Sequence, residues 1–435
     1  MQKIFFHLAL FLTLTLPATA VAETWRLTLE QAVERGLQEN RDISVVRERL
    51  AELEGMKGEA RSEGLPHLNS TVEYQRMWRK PKMNINGQFF TVGTKNNYTA
   101  SAGVDQLLWD GGRVIKAVKA ARTELARGIE NIRDAEAVVR FQVKETYYEI
   151  LYMDKVIDVF DRELKQLRVH LGSIQTRFNQ GIDSDYTLMR QQVQVSNIEP
   201  QIIDAKRNRE LLKNGLKILL AIPPADEMSI AGEFDYHTKP MPDIAELAET
   251  AKSRRPDLLA ERLRQKSLEQ NVGIEKAGYW PKLNLNVFWA WQGQSDTPFP
   301  SSNEITDTLN SAFTLTWPIF DGLKTHSRVQ QAKAKLMQQQ YMTSELEDSV
   351  IRDVKDALET LVRARESLAS QEKSLSLAKK STAIAGERFE AGLMSQIELN
   401  DTINAQATAE QNYLRAAFDC MTAEAALEKA TGGEL

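Results

Sequence analysis

The chain has 435 residues, 26% of them charged, and a formal net charge of only −5, which gives nucleic acid no electrostatic footing as a partner. Its five histidines (His7, His67, His170, His237, His326) are too scattered for a ligand spacing such as HxxxH, so no metal site is expected. The one cysteine, Cys420, excludes a disulfide within the chain and reads as a small buried apolar residue. No nucleophile elbow, phosphate loop or dinucleotide fingerprint occurs, so neither catalytic nor cofactor-binding residues are expected; Asp110-Gly111-Gly112 is only a turn signal.

Residues 1–22 read as a secretory signal. Lys3 supplies the positive start, Ile4 to Leu16 the short apolar run, and Ala20-Val21-Ala22 the small-residue cleavage site before Glu23, with a cut after Ala20 as the alternative. That run is too short to anchor the chain, and no later stretch approaches roughly 18 uninterrupted apolar residues. An exported chain without a transmembrane helix is expected.

A first unit, residues 23–222, opens with a helical segment from Leu29 to about Glu63. A strand-like run follows, in which Leu68, Ser70, Val72 and Tyr74 alternate with Asn69, Thr71, Glu73 and Gln75, and its partner covers Tyr98 to Leu108. A helix is then expected from about Arg113 to Phe178. Its seam runs Val143, Thr146, Ile150, Met153, Ile157, Phe160, Leu164, Leu167, Leu171, Ile174 and Phe178, in steps of four and three. At 1.5 Å per residue such a helix is on the order of 100 Å long. A returning helix spans Thr187 to Ala221, and Pro200 inside it is expected to kink it. The stretch 223–243, with four prolines and Gly232, reads as a linker.

Residues 244–435 repeat the plan. The helical segment covers Ile244 to about Lys276, and the strands are Leu283 to Gln292 and Leu309 to Trp317. A second seam runs from Val350 to Phe389, rich in alanine where the first uses large residues, and a returning helix covers Glu398 to Ala430. The copies keep register. Asp257 and Pro281 each follow Asp42 and Pro66 by 215 positions, while Asp321 and Gly392 each follow Asp110 and Gly181 by 211.

Ten-residue runs with one apolar face suit a membrane barrel, and Tyr74, Trp78, Trp109, Trp289, Trp291 and Trp317 cluster in or beside them as interface girdles would. Alternation alone fits a soluble hairpin equally well. The long coiled-coil helices decide for the barrel, because no compact soluble domain needs such rods and a periplasm-crossing duct does. The fold class expected is a mixed α+β membrane protein: a long α-helical coiled-coil barrel continuous with a β-barrel to which each chain gives four strands. Four strands cannot close a barrel, and open edges are not tolerated in lipid. Two chains would close about eight strands filled by side chains, and three about twelve around a passage, so a duct favours a homotrimer.

These features resemble the TolC-like outer-membrane efflux protein family over essentially the whole mature chain. The resemblance rests on the doubled unit, the Leu65-Pro66 and Trp280-Pro281 strand entries, the Trp109-Asp110-Gly111 and Phe320-Asp321-Gly322 exits, and two Arg-Phe-x-x-Gly turns. It implies a passive exit channel of a tripartite efflux pump or type I secretion system, set in outer-membrane lipid. It also implies docking to a periplasmic adaptor protein and an inner-membrane transporter. The turn residues Arg177, Phe178, Gly181, Arg388, Phe389 and Gly392 are the candidate tips for that docking. In the family the inner end of the tunnel is narrowed by two acidic residues just after the second turn glycine. Glu398 and Asp401 match them here, on one helix face, though both also suit a helix start. Members that lock the entrance use an arginine, an aspartate and a tyrosine where this chain has Met394, Thr187 and Phe389, so that salt bridge is not expected. The rival reading is a periplasmic coiled-coil adaptor, which would show one hairpin and no doubled unit.

Overall fold

The structure is a computed structural model that describes residues 24–241 and 243–433. The signal expected at 1–22 lies outside the described residues. In chain order the elements are β1 (Thr24–Leu27), α1 (Leu29–Glu39), α2 (Arg41–Ser62), β2 (His67–Arg76), β3 (Lys82–Ile85), β4 (Gln88–Thr91), β5 (Asn96–Trp109), α3 (Arg113–Asn179) and α4 (Asp185–Leu219). They continue with β6 (Glu227–Ile230), α5 (Ile244–Arg254), α6 (Pro256–Lys276), β7 (Lys282–Ser295), β8 (Ile305–Thr316), α7 (Lys324–Glu390) and α8 (Gln396–Thr431).

Each opening segment, expected as one helix, is two. Asn40 breaks the first: its side chain accepts from the N–H groups of Asp42 and Ile43 and caps α2. Pro256 breaks the second, since it lacks an N–H and starts α6 at its first position. Both long helices run 67 residues, and each is opened by an aspartate-glycine turn. Asp110 accepts from Val114 N at 2.9 Å and Asp321 accepts from Thr325 N at 2.9 Å, so the two exit motifs are helix caps. Gly111 is obligatory there. It has φ +71° and a Cβ would sit 2.7 Å from Trp280 Cβ. Pro200 leaves α4 helical on both sides.

The chain divides into two compact units. One, built from Val143–Asp235, Ser374–Phe418 and the segment up to Gln38, holds the helix tips. Leu164 and Leu167 pack there against Ile198 and Ile202, and Ala385 against Leu399 and Ile403, so the expected seams are the contact faces. The stretch read as a linker contributes β6, which pairs in parallel with β1. Tyr147 lies beneath this pair, 2% exposed, with its hydroxyl 2.7 Å from the Ala231 carbonyl and 3.2 Å from that of Leu27. Burial pushes its phenol up to about 12.

The other unit, Glu39–Gln142, Tyr236–Lys373 and Asp419–Leu435, carries the sheet. Its helical core joins Leu258, Val350, Val354, Leu361, Cys420 and Leu427. Cys420 is fully buried and its thiol is raised to about 11 by burial, which suits packing and not nucleophilic chemistry.

All pairings in the four-stranded sheet, ordered β2-β5-β7-β8, are antiparallel. The register aligns Leu68 with Val104, Val104 with Val287, Leu285 with Phe313 and Leu283 with Leu315. One face is therefore apolar across all four strands. The other aligns Asn69, Thr71 and Gln75 with Gly103, Ser101 and Asn97, then Asp105 with Asn286 and Thr99 with Gln292. Asp105 accepts from both Asn69 and Asn286 on that polar face. Phe288, opposite Gly103 and Asn310, and Leu107, opposite Asn284, are large apolar exceptions there. A bulge between Leu107 and Trp109 returns Trp109 to the apolar face opposite Leu283. On the apolar face Leu68, Val72, Leu309 and Phe313 are each more than 70% exposed, a surface no soluble fold would leave bare. β2 and β8 are edges. The loop after β2 folds into the β3-β4 hairpin, closed by Asn86 and Gly87 at positive φ.

Candidate functional site

Both Arg-Phe-x-x-Gly turns are one capping motif. After α3, Ile182 N donates to Arg177 O and Gly181 N to Phe178 O, each at 2.9 Å. After α7, Leu393 N donates to Arg388 O at 2.8 Å and Gly392 N to Phe389 O at 3.0 Å. This six-to-one pattern needs a left-handed residue, which Gly181 (φ +74°) and Gly392 (φ +72°) supply. Arg177 also pairs with Asp183 at 3.0 Å. The caps turn apolar side chains outward, with Ile182, Tyr186, Met189 and Leu393 all more than half exposed.

Glu398 and Asp401 both stand exposed on the first turns of α8. Glu398 closes a capping box: Ser395 N and Oγ donate to its carboxylate at 2.9 and 2.8 Å, and Glu398 N donates to Ser395 Oγ at 3.3 Å. Those two donors hold its carboxyl below the ordinary value, so it is ionised at neutral pH. Asp401 has no hydrogen bond or ion pair among the described residues and projects one turn further along the same face.

The positions of the family's lock are filled otherwise. Phe389 and Met394 pack on the Ala385, Leu399 and Ile403 cluster, and Thr187 joins the Ser184 cap of α4. Beside them lies a buried amide chain that the sequence did not single out. Gln396 donates to Asn400 at 3.0 Å, Asn400 to Gln191 at 2.8 Å, and Gln191 to the Leu167 carbonyl at 3.0 Å, linking α8 through α4 to α3. Asn400 is 5% and Gln191 1% exposed, so the link between them is held without competing water. The available signal was Asn400 between Leu399 and Ile403, a polar residue at the buried register of α8. A lone amide carries no spacing motif, and its partner is 209 residues away.

Further along α3, Arg162 pairs with Glu410 of α8 at 2.7 Å. The adjoining Glu163 is 6% exposed and lines a cavity of about 120 Å³ with Lys379, Gln166 and Gln406, yet has no hydrogen bond or ion pair among the described residues. Burial raises its carboxyl to about 7. The unfolded chain gives up this proton near the ordinary value of 4.5, and the folded chain only near 7. Stability therefore falls as pH rises through that window. Glu163→Gln is expected to raise stability at pH 8 by about 3 kcal/mol and leave it unchanged at pH 4, since the gap between 4.5 and about 7 is worth about that much. Thermal unfolding of the detergent-solubilised protein at both pH values checks this, and equal gains at both would refute it.

The sequence and fold have known counterparts. The model of the family described as "Outer membrane efflux protein" matches residues 32–221 and 247–433. Among curated proteins, the chain is similar to the outer membrane efflux protein BepC of Brucella suis, with 20% identity over 352 residues covering 79% of this chain and 74% of that protein. In fold it is similar to CusC, at a TM-score of 0.79 and 15% identity, covering 96% of both chains. It is likewise similar to the outer membrane protein VceC of Vibrio cholerae, at a TM-score of 0.78 and 16% identity, covering 93% of this chain and 96% of the other. These counterparts are outer-membrane channels and not adaptors.

Proposed function

The chain belongs to the outer membrane efflux protein family, and from that premise we propose how its own residues assemble, gate and dock the channel. It is an outer-membrane efflux channel whose helical part lies in the periplasm, in a family made up of channel proteins whose members are trimeric and work with adaptor and inner-membrane pump partners. We infer that residues 1–22 are removed on export, leaving two copies of one plan, 23–222 and 244–435, joined by 223–243. Three such chains close their sheets edge to edge, β8 of one beside β2 of the next. The observation that carries this is the four-stranded sheet with one continuous apolar face and two unpaired edges, a form that lipid tolerates only when closed. A heat-sensitive trimer in the outer-membrane fraction with channel conductance in bilayers is the expected result. A soluble monomer would overturn it.

At the inner end, Glu398 and Asp401 form two acidic rings under threefold symmetry, which draw cations and resist anions. Capping supports this role: the Ser395 donors fix Glu398 ionised and in place. The amide chain Gln396-Asn400-Gln191 and the apolar cluster around Phe389 and Met394 act as the latch where a salt bridge would otherwise hold the entrance. The tips, with Ile182, Tyr186 and Leu393 exposed around Gly181 and Gly392, take the adaptor. The double substitution Glu398→Ala with Asp401→Ala is expected to weaken cation selectivity and block by polyvalent cations in single-channel recordings. Unchanged selectivity and block would remove both residues from the gate.

A further inference from the structure

We propose that the channel holds an anionic phospholipid of the inner leaflet in a basic, aromatic-walled cavity between the end of α6 and the start of α7. The proposal rests on the outer-membrane placement of the sheet. The cavity measures about 420 Å³ and is lined by Lys276, Tyr279, Trp280, His326, Gln330 and Lys333, with Val329 beneath them. No carboxylate lines it. Lys276 is the last residue of α6, and His326, Gln330 and Lys333 follow at spacings of four and three along one face of α7. None of these four side chains has a hydrogen bond or ion pair among the described residues. Two ammonium groups therefore line one cleft, and among the described residues neither has a carboxylate partner.

The neighbours of the cavity fix its depth in the membrane. Tyr279 and Trp280, 47% and 58% exposed, occupy the turn that enters β7. Trp280 meets Trp109 edge to face at 6.2 Å, and Trp109 stands on the apolar face opposite Leu283. Trp317, two residues beyond Leu315 of that same face, donates its indole N–H to the Tyr279 carbonyl at 3.3 Å. Four aromatic side chains thus border the apolar face at the end from which the helices leave. Such belts sit at headgroup level, with acyl chains on the strand side and water on the helix side. The basic cavity is one layer to the helix side of the belt, where a phosphodiester lies. An anionic glycerophospholipid fits all three parts: its chains along Leu283 and Leu315, its glycerol against Tyr279 and Trp280, and its phosphate between Lys276 and Lys333.

The test uses the full-length protein purified from membranes, delipidated in mild detergent, with bound lipid counted by native mass spectrometry. Phosphatidylglycerol is titrated against phosphatidylcholine of the same chains. Preferential retention of phosphatidylglycerol is expected, falling about fivefold in Lys276→Gln and about fivefold in Lys333→Gln, a juxtamembrane cation contributing about that factor. Gln330→Glu, which adds a charge on an exposed face without emptying the cavity, should weaken retention as well. Equal retention of the two lipids, or variants that retain phosphatidylglycerol as the wild type does, would overturn the proposal. Displacement of the lipid by millimolar inorganic phosphate would also overturn it, marking a free-anion site. Heat-sensitive assembly, measured on the same samples, keeps a failure of this site distinct from a failure of the barrel itself.

Discussion

Phe313→Arg is expected to deplete the channel from the outer membrane at least about thirty-fold, whereas Thr314→Arg, one residue on, should be inserted normally. The two positions are adjacent on β8 but face opposite ways: Phe313 aligns with Leu285 on the apolar face, and Thr314 with Asn284 on the polar face. A guanidinium on the lipid face of a barrel costs about 2–4 kcal/mol near mid-depth, while a lumen position stays wet. In a trimer the cost is incurred three times at one closed barrel. Thr314→Arg is expected to show itself differently, as lower cation conductance through the same pore. Quantitative blotting of membrane fractions, with single-channel recording of the survivors, checks both. Equal depletion of the two variants would mean the faces are misassigned.

The second large effect is expected at Arg255, where Arg255→Ala should lower stability by about 3 kcal/mol. Its guanidinium is bidentate to Asp257, at 3.0 and 2.7 Å, and reaches Asp353 on α7 at 2.8 Å, with a side chain 14% exposed. This one side chain ties the break between α5 and α6 to the long helix. Burial by itself would raise the Asp257 carboxyl, but the Arg255 hydrogen bonds and charge outweigh it and hold it below the ordinary value. Removing the arginine leaves a half-buried carboxylate unpaired near Asp134, whose own carboxyl is already raised by burial and by Asp257. Breaking such a pair from one side typically costs about 3–5 kcal/mol. Asp257→Asn in the Arg255→Ala background is expected to restore part of the loss, because it removes the orphaned charge. In the wild type the pair's contribution is present above the ordinary carboxylate range and fades as pH falls through the depressed value. Chemical unfolding of the wild type and the two variants at pH 7 and pH 3 measures each of these signs. An Arg255→Ala protein as stable as the wild type would dispose of the clamp.

These contrasts bear on what a sequence can reveal. The strands and the two 67-residue helices were legible because each is written in a local period, of two residues for Leu283 to Trp291 or of seven for Val143 to Phe178. The glycines at 181 and 392 were legible for the same reason: a helix cap is complete within six residues. The two-part opening segments were missed because one capping Asn40 interrupts an otherwise continuous helical composition. The β1-β6 pair was missed because a four-residue parallel strand has no meaning until its partner, some two hundred residues away, is beside it.

The proposed gate divides along the same line. Sequence alone placed Glu398 and Asp401 one turn apart on a helix face, because that spacing is a property of the helix itself. It also established that Met394, Thr187 and Phe389 cannot form the family's salt bridge. Only the tertiary structure decided that Ser395 holds Glu398, that Asn400 bonds Gln191, and that Glu163 is buried without a partner among the described residues. Those outcomes depend on which groups from distant segments meet and how much water they lose. A chain's local periods specify its elements, whereas the protonation and pairing of a side chain are set by neighbours that only the assembled fold supplies.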